Sequence, residues 1–118
     1  MIIKLLLIKK CLIVKIIKIY FMSEKIKVVI ANLKPFEEKF ESLVNLLKEK
    51  LPEAKTIKGC KSINACIDED NRKIILYEVW ETEKDHKDYV QWRKKTGVHD
   101  QISEHLQDRS FSYYTYLI

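Results

Sequence analysis

Alternation dominates the stretch Lys25–Leu33, where Ile26, Val28 and Ile30 fall on one side. A two-residue period of this kind predicts a half-buried strand. At Pro35 the period changes. Phe36, Phe40, Leu43, Val44, Leu47 and Leu51 recur at helical spacing, which predicts an amphipathic helix ending near Pro52. Pro35 is expected to open it, because a first-turn residue needs no N–H. "GCKSINACID" and "RKIILYEVWE" read as two strands joined by the turn-rich "EDN". Thr82 and Asp85 have the spacing of a helix cap, so a second helix is expected from there, closed by Gly97. Val98–Gln107 reads as a third, short helix with His99, Ile102 and Leu106 on one side, and "SFSYYTYLI" as a final strand.

The order β-α-β-β-α-(α)-β predicts an α+β class fold, a ferredoxin-like split β-α-β-β-α-β arrangement with a four-stranded antiparallel sheet. In the last strand Phe111, Tyr113 and Leu117 face one way, while Tyr114, Tyr116 and Ile118 face the other. Two amphipathic helices cover only one face of such a sheet. The second apolar face is expected to meet another sheet, most simply that of a second copy, so a homodimer is predicted.

Composition narrows the function classes. The chain has 118 residues, enough for one domain, and its 2 glycines and 2 prolines suit short loops in a compact fold. The net charge of +5 sits entirely in residues 1–21, in Lys4, Lys9, Lys10, Lys15 and Lys18; of 22 basic residues 17 remain, against 17 acidic. The rest is neutral and lacks the basic stripe that phosphate-backbone binding requires, so no nucleic-acid partner is expected. Lysines interrupt the front segment too often for a membrane span, and its apolar runs are too short for a secretory signal. An amphipathic membrane-surface helix, the product of an upstream translation start, and a disordered tail all stay open for this N-terminal extension. The domain is expected over residues 22–118, beginning at Met22. Cys11, Cys60 and Cys66 form no CxxC pair. Reduced thiols in a cytoplasmic protein are expected rather than a disulfide scaffold or a zinc site. Cys60 and Cys66 should share one strand face, too far apart to bridge. The acidic "DEDN" lacks the glycine and distal glutamate of a calcium loop and reads as a solvated turn.

The second helix carries the candidate chemistry. At about 100° per residue, Arg93 lies about 20° from His86, Val90 about 40°, Tyr89 about 60° and Trp92 about 120°. An inward stripe thus sets a histidine and an arginine among aromatic residues, as a pocket wall would. Trp80, at the end of the preceding strand, could close one side. The plainer reading stands beside it, with His86 a satisfied core histidine, Arg93 a snorkelling or paired cation, and Trp80 and Trp92 core aromatics. No phosphate loop, Ser/His/Asp order or metal-ligand cluster appears, and two glycines leave no glycine-rich turn for flavin or nicotinamide.

"YEVWETEKDHKDY" and "YVQWRKKTG" resemble the strand-ending E-x-W, acidic joint and following helix of the antibiotic-biosynthesis monooxygenase-like family, which includes quinol monooxygenases. The resemblance covers about residues 25–118 and implies a dimeric α+β barrel. It further implies oxygenation of a small electron-rich phenol or quinol by O₂ without a cofactor or metal. On this resemblance His86 would be the base, Tyr89 or Arg93 the anion partner, and Trp80 and Trp92 the substrate-binding walls. Many relatives place a histidine where Tyr89 stands; here that base would be either missing or relocated to His86, one turn earlier. A non-catalytic small-molecule-binding module of the same fold, and haem binding or breakdown, are the alternatives.

Overall fold

The computed structural model describes residues 9, 10, 12–16 and 26–118. Residues 9, 10 and 12–16 are helical, and the remainder of the expected N-terminal extension lies outside the described residues. The domain runs β1 (Lys27–Pro35), a 3-10 turn (Glu37–Lys39), α1 (Phe40–Ala54), β2 (Cys60–Asp68), β3 (Lys73–Trp80), α2 (Glu83–Lys95), α3 (Val98–Ser103) and β4 (Leu106–Thr115). The four strands form one sheet in the order β2-β3-β1-β4, every neighbouring pair antiparallel. This is the ferredoxin-like α+β arrangement that the element order predicts.

Register decides which residues share a face. Val29, Ala31 and Leu33 of β1 lie beside Ile74, Leu76, Glu78 and Trp80 of β3, and all are buried on the helix side. Phe40, Leu43 and Leu47 of α1 close over this core. The β1 face expected from Ile26, Val28 and Ile30 is therefore the other, half-buried one. It continues through Tyr77 and Val79 of β3 and Tyr114 of β4. No element among the described residues covers it, and Tyr77, Tyr114 and Tyr116 are 45%, 55% and 44% exposed.

Three local expectations change. Pro35 ends β1, buried at a bulge opposite Leu106, and α1 starts only at Phe40. The end of α1 at Ala54 falls near Pro52 as expected, with Pro52 inside its last turn. The third helix stops at Ser103, because pairing with β1 draws Leu106 and the residues after it into β4. A register shift between Cys60 and Ser62 turns Cys60 toward the helix side, opposite Trp80. Cys66, opposite Ile75, stays on the other face, so the two thiols do not share one. Such a bulge reverses the alternation on which the sequence reading relied.

Candidate active site beneath the second helix

The site grows from the end of β3. Glu78 and Trp80 are two residues apart, so alternation places both on the helix side. Trp80 is fully buried, and its indole N–H donates to Glu78 Oε1 at 3.1 Å. Glu81 then holds Gly59 through a backbone bond of 2.8 Å, and Thr82 caps α2 by accepting the amide N–H of Asp85 at 3.0 Å. This short, fixed joint aims the first turns of α2 back at the sheet.

His86 is 1% exposed. Its ring meets Trp80 edge-on at 5.6 Å between centroids, with Tyr113 at 5.4 Å and Phe111 at 6.1 Å. Nδ1 is hydrogen-bonded to the Tyr113 hydroxyl at 2.9 Å, whereas Nε2 is buried without a hydrogen bond, 3.8 Å from Glu78 Oε1. That separation is too long for a hydrogen bond. The Tyr113 hydroxyl can accept from or donate to Nδ1; in the tautomer that carries the ring hydrogen on Nδ1, Nε2 is a bare lone pair. Burial pushes the Glu78 carboxyl up to about 7, opposed by the Trp80 N–H, and holds the His86 imidazole down at about 4. Near neutrality the imidazole is uncharged and Glu78 is the group in titration.

One turn on, Tyr89 stacks on Trp80 with centroids 5.0 Å apart, and its hydroxyl accepts Arg93 Nε–H at 3.0 Å. Burial raises the Tyr89 phenol, with Arg93 opposing the rise. The hydroxyl therefore keeps its own hydrogen to give away. Arg93 is 5% exposed, and its Nη2 donates to the Lys50 carbonyl at 2.8 Å while Nη1 lies 3.4 Å from Glu53 Oε2. It ties α2 to α1 and fixes Tyr89. The Trp92 ring lies under this guanidinium at 4.7 Å, outside the hollow described next.

A cavity of about 60 Å³ lies between sheet and helices, lined by Glu78, His86, Tyr89 and Arg93 with His99, Arg109 and Phe111 among its other walls. Of the five residues expected from sequence, His86, Tyr89 and Arg93 line it; Trp80 stands behind it, and Trp92 packs alongside. Glu78 is the residue the sequence reading missed. The signal was present, since alternation sets it on the face of Ile74, Leu76 and Trp80. Tyr113 was grouped with Phe111 on one face of the last strand, without its link to His86. A larger hollow of about 300 Å³ between α1 and β2 holds none of these groups.

An antiparallel sheet backed by helices on one face, with a buried carboxyl and imidazole beneath the second helix, defines a small ferredoxin-like α+β protein with a mostly apolar pocket that carries a few polar groups. The chain belongs to the antibiotic biosynthesis monooxygenase family, whose family model matches residues 27–99, more than half of it. Solved structures share the fold at low identity. A conserved protein from Methanosarcina mazei Go1 superposes with TM-score 0.72 at 21% identity, covering 83% of this chain and 99% of that one. Rv0793 from Mycobacterium tuberculosis gives 0.71 at 18%, covering 79% and 96%. A structure described as an antibiotic biosynthesis monooxygenase gives 0.70 at 16%, covering 78% and 99%. No curated protein matches the chain.

Proposed function

We propose that the chain is a cofactor-independent monooxygenase that oxidises a small electron-rich phenol or quinol with O₂. The observation that carries this reading is the buried, unbonded Nε2 of His86 on the wall of a cavity it shares with Glu78 and Tyr89. A phenol O–H entering the cavity gives its proton to that lone pair in the form of the site where Glu78 is ionised, since burial alone holds the imidazole at about 4 and makes it a weak base. The imidazolium so formed lies 3.8 Å from Glu78, whose ionised carboxylate stabilises it. Tyr89 donates to the phenolate oxygen, with Arg93 holding the tyrosine in place. The dry wall leaves the anion poorly solvated, which favours transfer of one electron to O₂. Recombination forms a carbon–oxygen bond on the ring. Loss of the ring hydrogen and cleavage of the O–O bond then leave a quinone and one water, so the substrate supplies every electron that O₂ takes up.

Oxygen uptake with a panel of naphthols and quinols tests the reading. His86→Ala, with its circular dichroism unchanged, should lower turnover by about 100-fold or more, the usual contribution of a positioned base. Full turnover in that variant would remove His86 from the chemistry. One observation favours the second reading, a non-catalytic binding module. At about 60 Å³ the cavity is smaller than the roughly 150 Å³ cavity known to admit benzene, so an aromatic ring enters only if the walls part. No uptake with any member of the panel would leave that module as the surviving reading.

The uncovered face of the sheet supports a homodimer in which a second copy packs on Val28, Ile30, Tyr77, Val79 and Tyr114. Free thiols at Cys60 and Cys66 suit a reducing cytoplasm. Among the described residues no helix is long and apolar enough to cross a membrane.

A further inference from the structure

The far wall of the same cavity carries a cation that the chemistry above does not use. Arg109 lies on β4 opposite Leu33, on the helix side, followed at two-residue steps by Phe111 and then by Tyr113. Strand spacing sets these side chains about 7 Å apart in a row. The row runs from Arg109, past the ring of Phe111, to the tyrosine bonded to His86.

One edge of the Arg109 guanidinium is fixed and the other is free. Nη1 donates to His99 Nε2 at 2.8 Å and to Ser103 Oγ at 3.2 Å. His99 must accept there through a bare nitrogen, so it is neutral, and burial together with the charge of Arg109 holds its imidazole below the usual range. Ser103 is held in turn, its hydroxyl donating to the His99 carbonyl at 2.8 Å. Two acceptors on α3 therefore orient the group. Nε, by contrast, is buried and bonded to nothing among the described residues, and Nη2 forms no hydrogen bond there either.

The contrast with Arg93 is informative. Arg93 shares the cavity, yet its donors are committed to Tyr89, Lys50 and Glu53. Arg109 has no carboxylate partner among the described residues, and burial lowers its pKa without any neighbouring charge to offset the fall. A half-buried guanidinium without a counter-ion is unfavourable unless something else supplies the anion. Its unbonded Nε and Nη2 lie side by side on the guanidinium, the arrangement that matches a carboxylate in a bidentate pair once the walls part enough to reach the buried Nε.

We propose that Arg109, held by His99 and Ser103, anchors the carboxylate of an aromatic acid in this cavity. The acid's ring lies along Phe111, and its hydroxyl points toward His86 and Tyr89. The inference rests on the cavity being the substrate site and narrows the substrate to a hydroxyaryl carboxylate. Glu78 lines the same cavity and would repel such an anion, so the carboxylate belongs at the Arg109 end and the hydroxyl at the Glu78 end.

Titration calorimetry of the full chain with 4-hydroxybenzoate and with 4-hydroxybenzamide tests this. The two probes have nearly the same shape and differ in charge, so any cost of opening the cavity cancels between them. The acid should bind at least about tenfold more tightly than the amide, in line with a charge-assisted bidentate pair. Arg109→Gln should erase that ratio and Arg109→Lys should keep part of it. Equal affinities in the unaltered chain, absence of binding by either probe, or a preference that survives Arg109→Gln would each overturn the proposal. The ratio requires no turnover. A chain that oxidises neutral quinols without acid preference defeats this inference alone, whereas acid preference without oxygen uptake defeats the oxygenase reading alone.

Discussion

Glu78 shows how much one position can decide. A carboxyl 2% exposed on the core face of a central strand is costly when ionised, and a single indole N–H offsets only part of that cost. Its pKa rises from 4.5 to about 7, so the folded state holds the proton more tightly than the unfolded chain. Stability contributed by the neutral acid is complete below about pH 4.5 and is lost as pH climbs through 7, by up to about 3 kcal/mol. His86 works in the opposite direction. Its pKa falls from 6.5 to about 4, so acidification through that window destabilises the fold. The two slopes oppose each other between about pH 4.5 and 6.5. Glu78→Gln should therefore become more stable relative to the unaltered chain as pH is raised from 5 to 8. Urea unfolding at the two pH values measures this, and a difference that does not change with pH would show that Glu78 does not titrate in this range.

At the scale of elements, the joint between β3 and α2 positions the site, and it depends on a glycine in another segment. Gly59 has φ of 84°, a left-handed conformation, and a Cβ there would fall 2.4 Å from the Asp85 carboxyl carbon. Asp85 belongs to the first turn of α2, whose cap it shares with Thr82. Gly97 has the same φ of 84° but open space around its Cα. Alanine at position 97 should thus cost only the backbone strain, about 1–2 kcal/mol. Alanine at position 59 should cost visibly more, because it also displaces the turn before His86. Denaturant midpoints of the two variants give the comparison, and equal losses would mean that Asp85 yields freely.

For the whole molecule, the open face of the sheet is the dominant feature. Tyr77 and Tyr114 stand 45% and 55% exposed on it, beside Val28, Ile30 and Val79. A contiguous apolar sheet face of this kind is expected to be covered. Sedimentation should find two copies per particle, and Tyr77→Asp combined with Tyr114→Asp should release a folded single copy. A single-copy particle in the unaltered chain at micromolar concentration would refute the sheet-to-sheet dimer.

Local patterning along the chain is enough for the order of elements, the Thr82 cap, the Gly97 stop and the two faces of β4. Each follows from periodicity or backbone preference over a few residues, and such terms act wherever the segment lies. Glu78 was within reach of the same reasoning, since its parity matches that of Trp80. Tertiary structure alone decided that Pro35 completes a strand, that Leu106 leaves the third helix and that Cys60 and Cys66 part company at a bulge. It alone brought His86 to Tyr113 and Arg109 to His99. These depend on ladder pairing and helix docking between segments distant in the chain, where many local conformations are nearly equal in energy and the shared core selects one.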